Sequence, residues 1–213
     1  MGDAQLERRS FPVDLAAIEL RQDGDGPRLV SWYPALFDSL SEDLGGFKER
    51  IGRRAFTDSL KEREVRALIN HDPSQILSRT SNDSLKLDVD LKGLRAESAI
   101  PDTSYARDLL VNLDNGNISG GSFMFVSLRD KWELEDVGES EPMLVRTVQE
   151  ARLYDVSLVT FPAYPATEGS ASLRSRAEEW RQALTAPIDT TARAGLMKRR
   201  LELIKLKIAG GGG

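Results

Sequence analysis

The sequence predicts a mainly β protein with a few helices, an α+β fold whose strands form an antiparallel barrel or sandwich. Short runs with a hydrophobic period of two dominate the first three quarters of the chain, and this period is typical of strands with one buried face. Few helical stretches lie between these runs, which argues against a regularly alternating α/β fold. With 213 residues, 40% of them hydrophobic, the chain can bury a core of its own.

The clearest predicted strands form a hairpin. Leucine and valine alternate with charged residues over residues 85–91, Lys92-Gly93 makes a turn, and the alternation continues over residues 94–100. Further strands are predicted at residues 29–32, 65–70, 118–128, 143–147 and 156–161.

Three helices interrupt these strands. A short one is predicted over residues 55–61. The second follows Pro101-Asp102-Thr103, whose side chains offer capping oxygens, and it ends at Gly116. The third covers residues 170–184.

The character of the chain changes after Tyr164-Pro165, and we predict a folded domain over residues 1–184 with an appended segment, 185–213. The appended segment contains a linker at 185–193, a basic amphipathic helix at 196–208 and a flexible tail of four glycines. A basic helix on a linker is usually a surface feature or an element that docks on a partner, with membrane adsorption the less favoured alternative.

The composition argues against several classes of function. The net charge of -5 argues against an autonomous nucleic-acid binder, and the absence of cysteine excludes disulfides and thiol catalysis. Residues 1–10 lack the apolar core of a signal peptide, and no run is long enough for a membrane-spanning helix, so we expect a soluble intracellular protein. With His71 as the only histidine and no cysteine, only carboxylate-rich calcium or magnesium sites are left, and neither EF-hand spacing nor a Walker or dinucleotide motif occurs, so no metal site or cofactor is predicted.

Ser122 is the first candidate for chemistry, in the segment Ile118-Ser-Gly-Gly-Ser-Phe-Met-Phe125. The two glycines before it lack a Cβ atom, so they let a substrate strand approach closely and permit positive φ. A serine that follows them can be presented to a bound peptide. The alternative is a glycine bulge in which this serine only satisfies backbone groups. Neither Ser119 nor Ser157 is expected to be needed for activity.

His71 and Asp155 are the other two candidates. His71 ends the predicted strand 65–70, and a neutral imidazole is the natural general base for an alcohol nucleophile. Its alternative is a structural or surface histidine. The neighbouring Asp72 is expected to form a turn before Pro73, because adjacent strand residues point to opposite sides. Asp155 enters an apolar strand, where a carboxylate needs a partner such as a histidine, unless it caps the strand start.

Four segments together resemble the prohead protease family of tailed phages, whose members are similar to herpesvirus assemblin. The resemblance covers roughly residues 37–167, and its segments follow in the order that the family has. The order of base, nucleophile and acid differs from that in chymotrypsin, subtilisin and the α/β-hydrolases. The segments are Gly46-Phe-Lys-Glu-Arg-Ile51 with Ala55-Phe56, Val65-Arg-Ala-Leu-Ile-Asn-His-Asp72, Ser122-Phe-Met-Phe125 and Leu153-Tyr-Asp-Val-Ser-Leu-Val-Thr-Phe-Pro-Ala-Tyr-Pro165.

The resemblance implies a serine endopeptidase on an assemblin-like antiparallel β-barrel surrounded by helices. It implies Ser122 as the nucleophile, His71 as the base and Asp155 as the third member of the triad, expected to be partly solvated at a strand start. In assemblins the third member is a second histidine, which this chain lacks. The phage family commonly has Glu at that position, and it usually has Gly where this chain has Met124.

The resemblance also implies a role and partners. The enzyme would process the major capsid protein with its scaffold segment, and itself, during prohead maturation, and it would self-associate. It would lie in the host cytoplasm and then inside the assembling prohead, with no cofactor, nucleic acid or membrane required. Two alternatives remain open: a non-catalytic capsid-assembly or scaffolding protein of the same fold, and a regulatory peptide-binding module.

Overall fold

A computed structural model describes residues 5–12, 17–22, 24–161 and 170–185. A compact unit covers Met1–Trp180, and of the second unit, Arg181–Gly213, only the end of the last helix is described. The strands are β1 (Leu6–Pro12), β2 (Glu19–Gln22), β3 (Arg28–Leu36), β4 (Lys48–Ile51), β5 (Arg66–Ile69), β6 (Asp72–Arg79), β7 (Leu85–Val89), β8 (Gly93–Ala99), β9 (Gly120–Glu135) and β10 (Met143–Val159). The helices are α1 (Ser59–Glu62), α2 (Ser104–Asp114) and α3 (Ser170–Thr185).

The strands form two sheets, which confirms the prediction of a mainly β fold. Sheet A has the order β1-β9-β10-β5-β6, and β4 also pairs with β10, whereas sheet B has the order β2-β3-β8-β7. Strand β10 pairs in parallel with β4 and with β5. Sheet A is therefore mixed, whereas the sequence predicted only antiparallel strands. No closed barrel is found among the described strands, and the assemblin-like barrel therefore stays a prediction.

One hydrophobic core joins residues of both sheets. It includes Trp32 and Leu94 from sheet B, Leu158 from sheet A and Leu109 from α2, all almost fully buried. Within it the centroid of the Phe123 ring lies 5.5 Å from that of Phe56 and 5.0 Å from that of Phe125, in arrangements that aromatic pairs favour. Because side chains alternate along a strand, Phe123 and Phe125 on the core side place Ser122 on the other face of β9.

The structure corrects the predicted strands in sheet A. The segments 143–147 and 156–161 belong to one continuous strand, β10, and β9 extends beyond the predicted end at 128 to Glu135. Register shifts between Val148 and Asp155 break the period of two, so the sequence pattern is lost in the middle of the strand. The sequence also did not predict β1, β2, β4 and β6, which are short or rich in polar residues.

The helices agree more closely with prediction. Helix α2 is followed by Gly116 with φ 69°, as the predicted stop requires, but the Thr103 hydroxyl at its start makes no capping hydrogen bond. The predicted helix 55–61 is reduced to the single turn α1. Helix α3 matches its predicted range, and the predictions for residues 186–213 lie outside the described part of the chain. None of the described helices is long and apolar enough to cross a membrane.

Candidate active site

Three serines lie in one row across sheet A. Ser122 of β9 is paired with Ser10 of β1 on one side and with Ser157 of β10 on the other. Directly opposed residues of antiparallel strands point to the same face, so the three hydroxyl groups lie on the face away from the core. Gly120 and Gly121 adopt the extended conformation of β9 rather than positive φ, and β1 pairs closely along them. Ser122 is 0% exposed.

His71 lies in a tight turn rather than at a strand end. Strand β5 ends at Ile69, which pairs with Asp72, so Asn70 and His71 form a two-residue hairpin loop. Their φ angles of 52° and 60° are those of a type I′ turn, which is uncommon for residues other than glycine. Three hydrogen bonds to β10 and the residue after it hold the loop, which orients the imidazole toward the serine row. They join Asn70 N to Leu158 O (3.0 Å), Thr160 N to Asn70 Oδ1 (3.0 Å) and His71 N to Ser157 Oγ (3.2 Å).

Asp155 reaches the same face through a β-bulge. In the pairing of β10 with β9, Leu153 opposes Phe125 and Asp155 opposes Met124, which leaves Tyr154 as an extra residue. In a regular strand Leu153 and Asp155 would share the core face, and the bulge turns the carboxylate to the other side. Asp155 is only 5% exposed, so the expectation of a partly solvated carboxylate is wrong.

The three residues proposed from the sequence form one hydrogen-bonded chain. The distance from Asp155 Oδ1 to His71 Nδ1 is 2.6 Å, and the distance from His71 Nε2 to Ser122 Oγ is also 2.6 Å. A carboxylate only accepts hydrogen bonds, so Nδ1 carries the ring hydrogen of a neutral imidazole and Nε2 is left as an acceptor. Nε2 can then accept the proton of the Ser122 hydroxyl, which is the arrangement that an oxygen nucleophile needs.

Ser157 belongs to the site, although the sequence analysis treated it as dispensable. Its hydroxyl donates to Asp155 Oδ1 at 3.0 Å and accepts the backbone N–H of His71 at 3.2 Å. It therefore connects the carboxylate with the hairpin that carries the imidazole. Its position two residues after Asp155, on the same face of a strand, is the sequence signal that could have identified it.

Asp72 is directed away from the imidazole. Its Oδ1 atom accepts hydrogen bonds from Ser74 N at 2.8 Å and Ser74 Oγ at 2.6 Å, and these bonds lower the pKa of the Asp72 carboxyl. This agrees with the expectation that Asp72 shapes the chain rather than orienting His71. The tight turn itself precedes the predicted Asp72-Pro73 position, and Pro73 lies in β6 at the edge of sheet A, where a missing N–H is tolerated.

Strand β1 supplies two further contacts to the Ser122 hydroxyl. Ser10 Oγ donates to Ser122 Oγ at 2.9 Å, and Ser122 Oγ donates to the backbone carbonyl oxygen of Arg9, also at 2.9 Å. Nothing in the sequence pointed to these contacts, because residues 5–10 have no strand-like alternation of apolar and polar side chains. Strand β1 therefore occupies the edge of β9 beside the candidate nucleophile and makes hydrogen bonds with its hydroxyl.

An ion cluster, comprising Glu7, Arg9, Glu49, Asp130 and Arg146, lies on the core side of the same strands, and all of its members except the half-buried Asp130 are buried. Arg146 is 0% exposed and its guanidinium binds Glu7 (2.7 Å), Glu49 (2.7 Å) and Asp130 (2.9 Å), while Arg9 Nε binds Glu49 Oε1 at 2.8 Å. Burial alone would raise the pKa of Glu49, but the charges of Arg9 and Arg146 outweigh it and lower that pKa. Burial alone would lower the pKa of Arg146, but the surrounding carboxylates, Glu49 first, raise it.

No group of three or more side chains suited to a metal ion occurs in the part of the chain that the structure describes. The ion cluster is not such a group, because its carboxylates bind arginines. The groups that meet at the site are a hydroxyl, an imidazole and a carboxylate.

A family of known proteins matches most of the chain. Residues 16–181 match the family described as Caudovirus prohead serine protease, a range that includes Ser122, His71 and Asp155 but not β1. The solved structure of the bacteriophage T4 capsid assembly protease, gp21, is similar with a TM-score of 0.48 and 15% sequence identity, over 73% of this chain and 97% of that chain. No curated protein matches the sequence.

Proposed function

We propose that this chain, which belongs to the Caudovirus prohead serine protease family, is a serine endopeptidase with Ser122 as its nucleophile. The observation that carries the proposal is the continuous hydrogen-bonded path from Asp155 through His71 to Ser122, with two distances of 2.6 Å. A buried serine of merely structural role needs no imidazole at its oxygen, and a structural histidine needs no carboxylate behind it. Together they support the catalytic alternative for each residue.

In the proposed mechanism the Ser122 oxygen attacks the carbonyl carbon of a peptide bond while His71 Nε2 accepts the hydroxyl proton. The tetrahedral intermediate collapses as the imidazolium returns this proton to the departing amine, which leaves an ester on Ser122. A water molecule, deprotonated by His71, then attacks the ester, and the imidazolium returns this proton to the Ser122 oxygen as the second product leaves. Asp155 keeps the ring hydrogen on Nδ1 and stabilises the imidazolium, and Ser157 holds the carboxylate in place.

The substrates are proposed from the family. They are the major capsid protein with its scaffold segment, and this chain itself, cleaved during maturation of the prohead. This role implies contact with capsid protein, self-association, and a location in the host cytoplasm and then inside the prohead. The proposal requires no cofactor, nucleic acid or membrane.

Covalent labelling tests the nucleophile directly. A fluorophosphonate should modify Ser122 in the wild-type chain, and peptide mapping by mass spectrometry should locate the adduct there. Ser122→Ala and His71→Ala should lose both the labelling and the cleavage of the companion capsid protein, scored by its new termini. Cleavage by a Ser122→Ala chain, or an adduct on a different serine, would end this proposal.

A non-catalytic capsid-assembly protein of the same fold is the second candidate. The observation that favours it is the complete burial of Ser122, whose hydroxyl contacts Ser10 of β1. A dead protein should resist labelling in every variant, including those that loosen β1. An enzyme covered by β1 should react once β1 is weakened.

A further inference from the structure

Ser122 is fully buried beside β1. All seven residues of β1 pair antiparallel with residues 120–126 of β9, and Ser122 stands opposite Ser10. The Ser122 oxygen contacts His71 Nε2, Ser10 Oγ and the Arg9 carbonyl oxygen, and two of these three partners belong to β1. A substrate strand can pair with β9 beside Ser122 only when β1 has left this edge.

Strand β1 lies where an added peptide strand would pair with β9. Extended peptides are commonly recognised by adding a strand to a sheet edge, where the main chain supplies the hydrogen bonds and pockets for alternate side chains give specificity. Strand β1 is such an added strand at the edge of sheet A. Its Arg9 carbonyl group lies beside the nucleophile, with 2.9 Å between the carbonyl oxygen and Ser122 Oγ.

The contact with Arg9 also competes for the catalytic proton. The Ser122 hydroxyl has one hydrogen, and both His71 Nε2 at 2.6 Å and the Arg9 carbonyl oxygen at 2.9 Å can accept it. When the hydrogen points to Arg9, the imidazole cannot receive it. Strand β1 therefore occupies the edge of β9 that a substrate strand would need, and its Arg9 carbonyl oxygen competes with His71 for the hydroxyl hydrogen.

We propose that the place of β1 along β9 is the substrate-binding position, that β1 is its self-inhibiting occupant, and that the ion cluster selects substrates carrying an acidic residue where β1 has Glu7. This inference rests on the proposed function and deepens it by naming a substrate class. Residues 6–12 lie outside the range 16–181 that matches the family.

The ion cluster supplies the selectivity. The carboxylate of Glu7 accepts two hydrogen bonds from Arg146, one from Nη1 at 2.7 Å and one from Nη2 at 2.9 Å. Arg9 donates two hydrogen bonds to Glu49, at 2.8 and 3.1 Å. When β1 leaves, the fully buried Arg146 loses its Glu7 partner. Arg146 keeps Glu49 and Asp130, but a buried guanidinium N–H group that has lost its acceptor is costly, so a substrate strand that restores a carboxylate at this place is preferred.

The first experiment weakens β1 in the full chain and measures the rate of fluorophosphonate labelling. The double variant Glu7→Ala/Arg9→Ala removes one charge of each sign and therefore keeps the net charge of the cluster. It should label Ser122 at least about tenfold faster than wild type, because even about 1.4 kcal/mol of lost β1 docking shifts the equilibrium tenfold. Leu6→Ala, an exposed position of the same strand, is the matched control and should label at the wild-type rate.

The second experiment measures binding and needs no catalysis. A fluorescent peptide with the sequence of residues 5–12, Gln-Leu-Glu-Arg-Arg-Ser-Phe-Pro, is titrated into the Glu7→Ala/Arg9→Ala chain and followed by anisotropy. The peptide should bind, and replacing its glutamate with alanine should weaken binding about 30-fold or more, as expected for truncating one partner of a buried charge pair. Circular dichroism checks that the chain is folded, and Glu7→Gln serves as a milder second background.

The outcomes separate the two proposals. Equal labelling rates for wild type, double variant and control would overturn self-inhibition while leaving the protease proposal intact. Equal affinity of the two peptides, or no binding of either to a folded chain, would overturn the substrate position. If no folded chain labels at Ser122 but the peptides discriminate as expected, the protease proposal fails and the peptide site stands. A new N-terminus at Ser10 in the wild-type protein would support the inference, since the Arg9 carbonyl is the one beside Ser122.

Discussion

The two ends of the β9–β10 ribbon bury polar groups in different ways. At one end Ser122 and Asp155 meet His71, and at the other Arg146 is enclosed by Glu7, Glu49 and Asp130. Ser122 and Arg146 are both 0% exposed. In the ion cluster each charge has a fixed opposite charge, and the arginine holds its proton. At the candidate site one hydroxyl hydrogen has two acceptors. The paired charges of the ion cluster stabilise the fold, whereas a buried hydroxyl whose hydrogen can move between two acceptors can take part in a reaction.

Bulges in β10 allow one ribbon to carry both groups. The pairing with β9 shifts register near Glu150 and again at Tyr154. Each extra residue exchanges the faces of the strand, so a carboxylate near the second shift points to the serine row although the neighbouring Leu153 points to the core. The separation of the two groups onto opposite faces follows from these local irregularities.

The largest expected effect comes from Asp155→Asn. Asparagine keeps the shape but donates through its amide, so it favours the wrong tautomer of His71. In chymotrypsin the corresponding change costs about 10⁴ in kcat, and because Asp155 is almost fully buried we expect a loss of roughly 10³–10⁴-fold. Asp155→Glu should retain substantial activity, as the resemblance implies. Steady-state cleavage of a peptide substrate measures both, and a normal rate for a folded Asn variant would remove Asp155 from the mechanism.

The matching change in the ion cluster is Arg146→Met, which should act on stability. It leaves the carboxylates of Glu7, Glu49 and Asp130 buried with fewer cations, and breaking a buried pair in this way costs about 3–5 kcal/mol. Arg129→Met is the control on the same ribbon, since this arginine is 63% exposed and its ion pair with Glu150 is long, at 3.5 Å; it should cost less than about 1 kcal/mol. Urea unfolding measures both. Equal losses would show that the cluster adds nothing beyond a surface pair.

The same contrast explains what the sequence could predict. Ser122, His71 and Asp155 lie in short motifs of unusual residue type, and all three meet in the structure. The mainly β fold followed from alternation in β7 and β8, where no bulge disturbs the period. The members of the ion cluster look like ordinary surface charges in the sequence. They meet because β1 pairs with β9 more than 100 residues away along the chain and β4 pairs with β10, contacts that no local pattern encodes.

Acidification is expected to lower the free energy of unfolding by an intermediate amount. The arginines hold the pKa of Glu49 below its ordinary value, 4.5, so the ionised cluster contributes stability that is fully present above the unfolded pKa and is lost as the pH falls through the lower folded pKa. The loss should be smaller than that of Arg146→Met, because a protonated Glu49 still fills its place. Unfolding free energies measured from pH 7 to pH 3 should decline less steeply for Glu49→Gln than for wild type. Parallel curves would contradict the assignment.

The smallest expected effect is that of Ser157→Ala, which tests how finely the site end is held. The change removes one hydrogen bond to Asp155 and the acceptor for the His71 N–H, and a typical hydrogen bond of this kind contributes about 0.5–1.5 kcal/mol. We therefore expect kcat to fall about two- to tenfold with KM nearly unchanged, because the loss concerns positioning of the base rather than contact with substrate. Ser157→Thr, which restores the hydroxyl, should recover part of the rate. Ser119→Ala, a half-buried serine just before β9, should match wild type. If Ser157→Ala behaves like Ser119→Ala, then the carboxylate and the hairpin orient the imidazole without this hydroxyl.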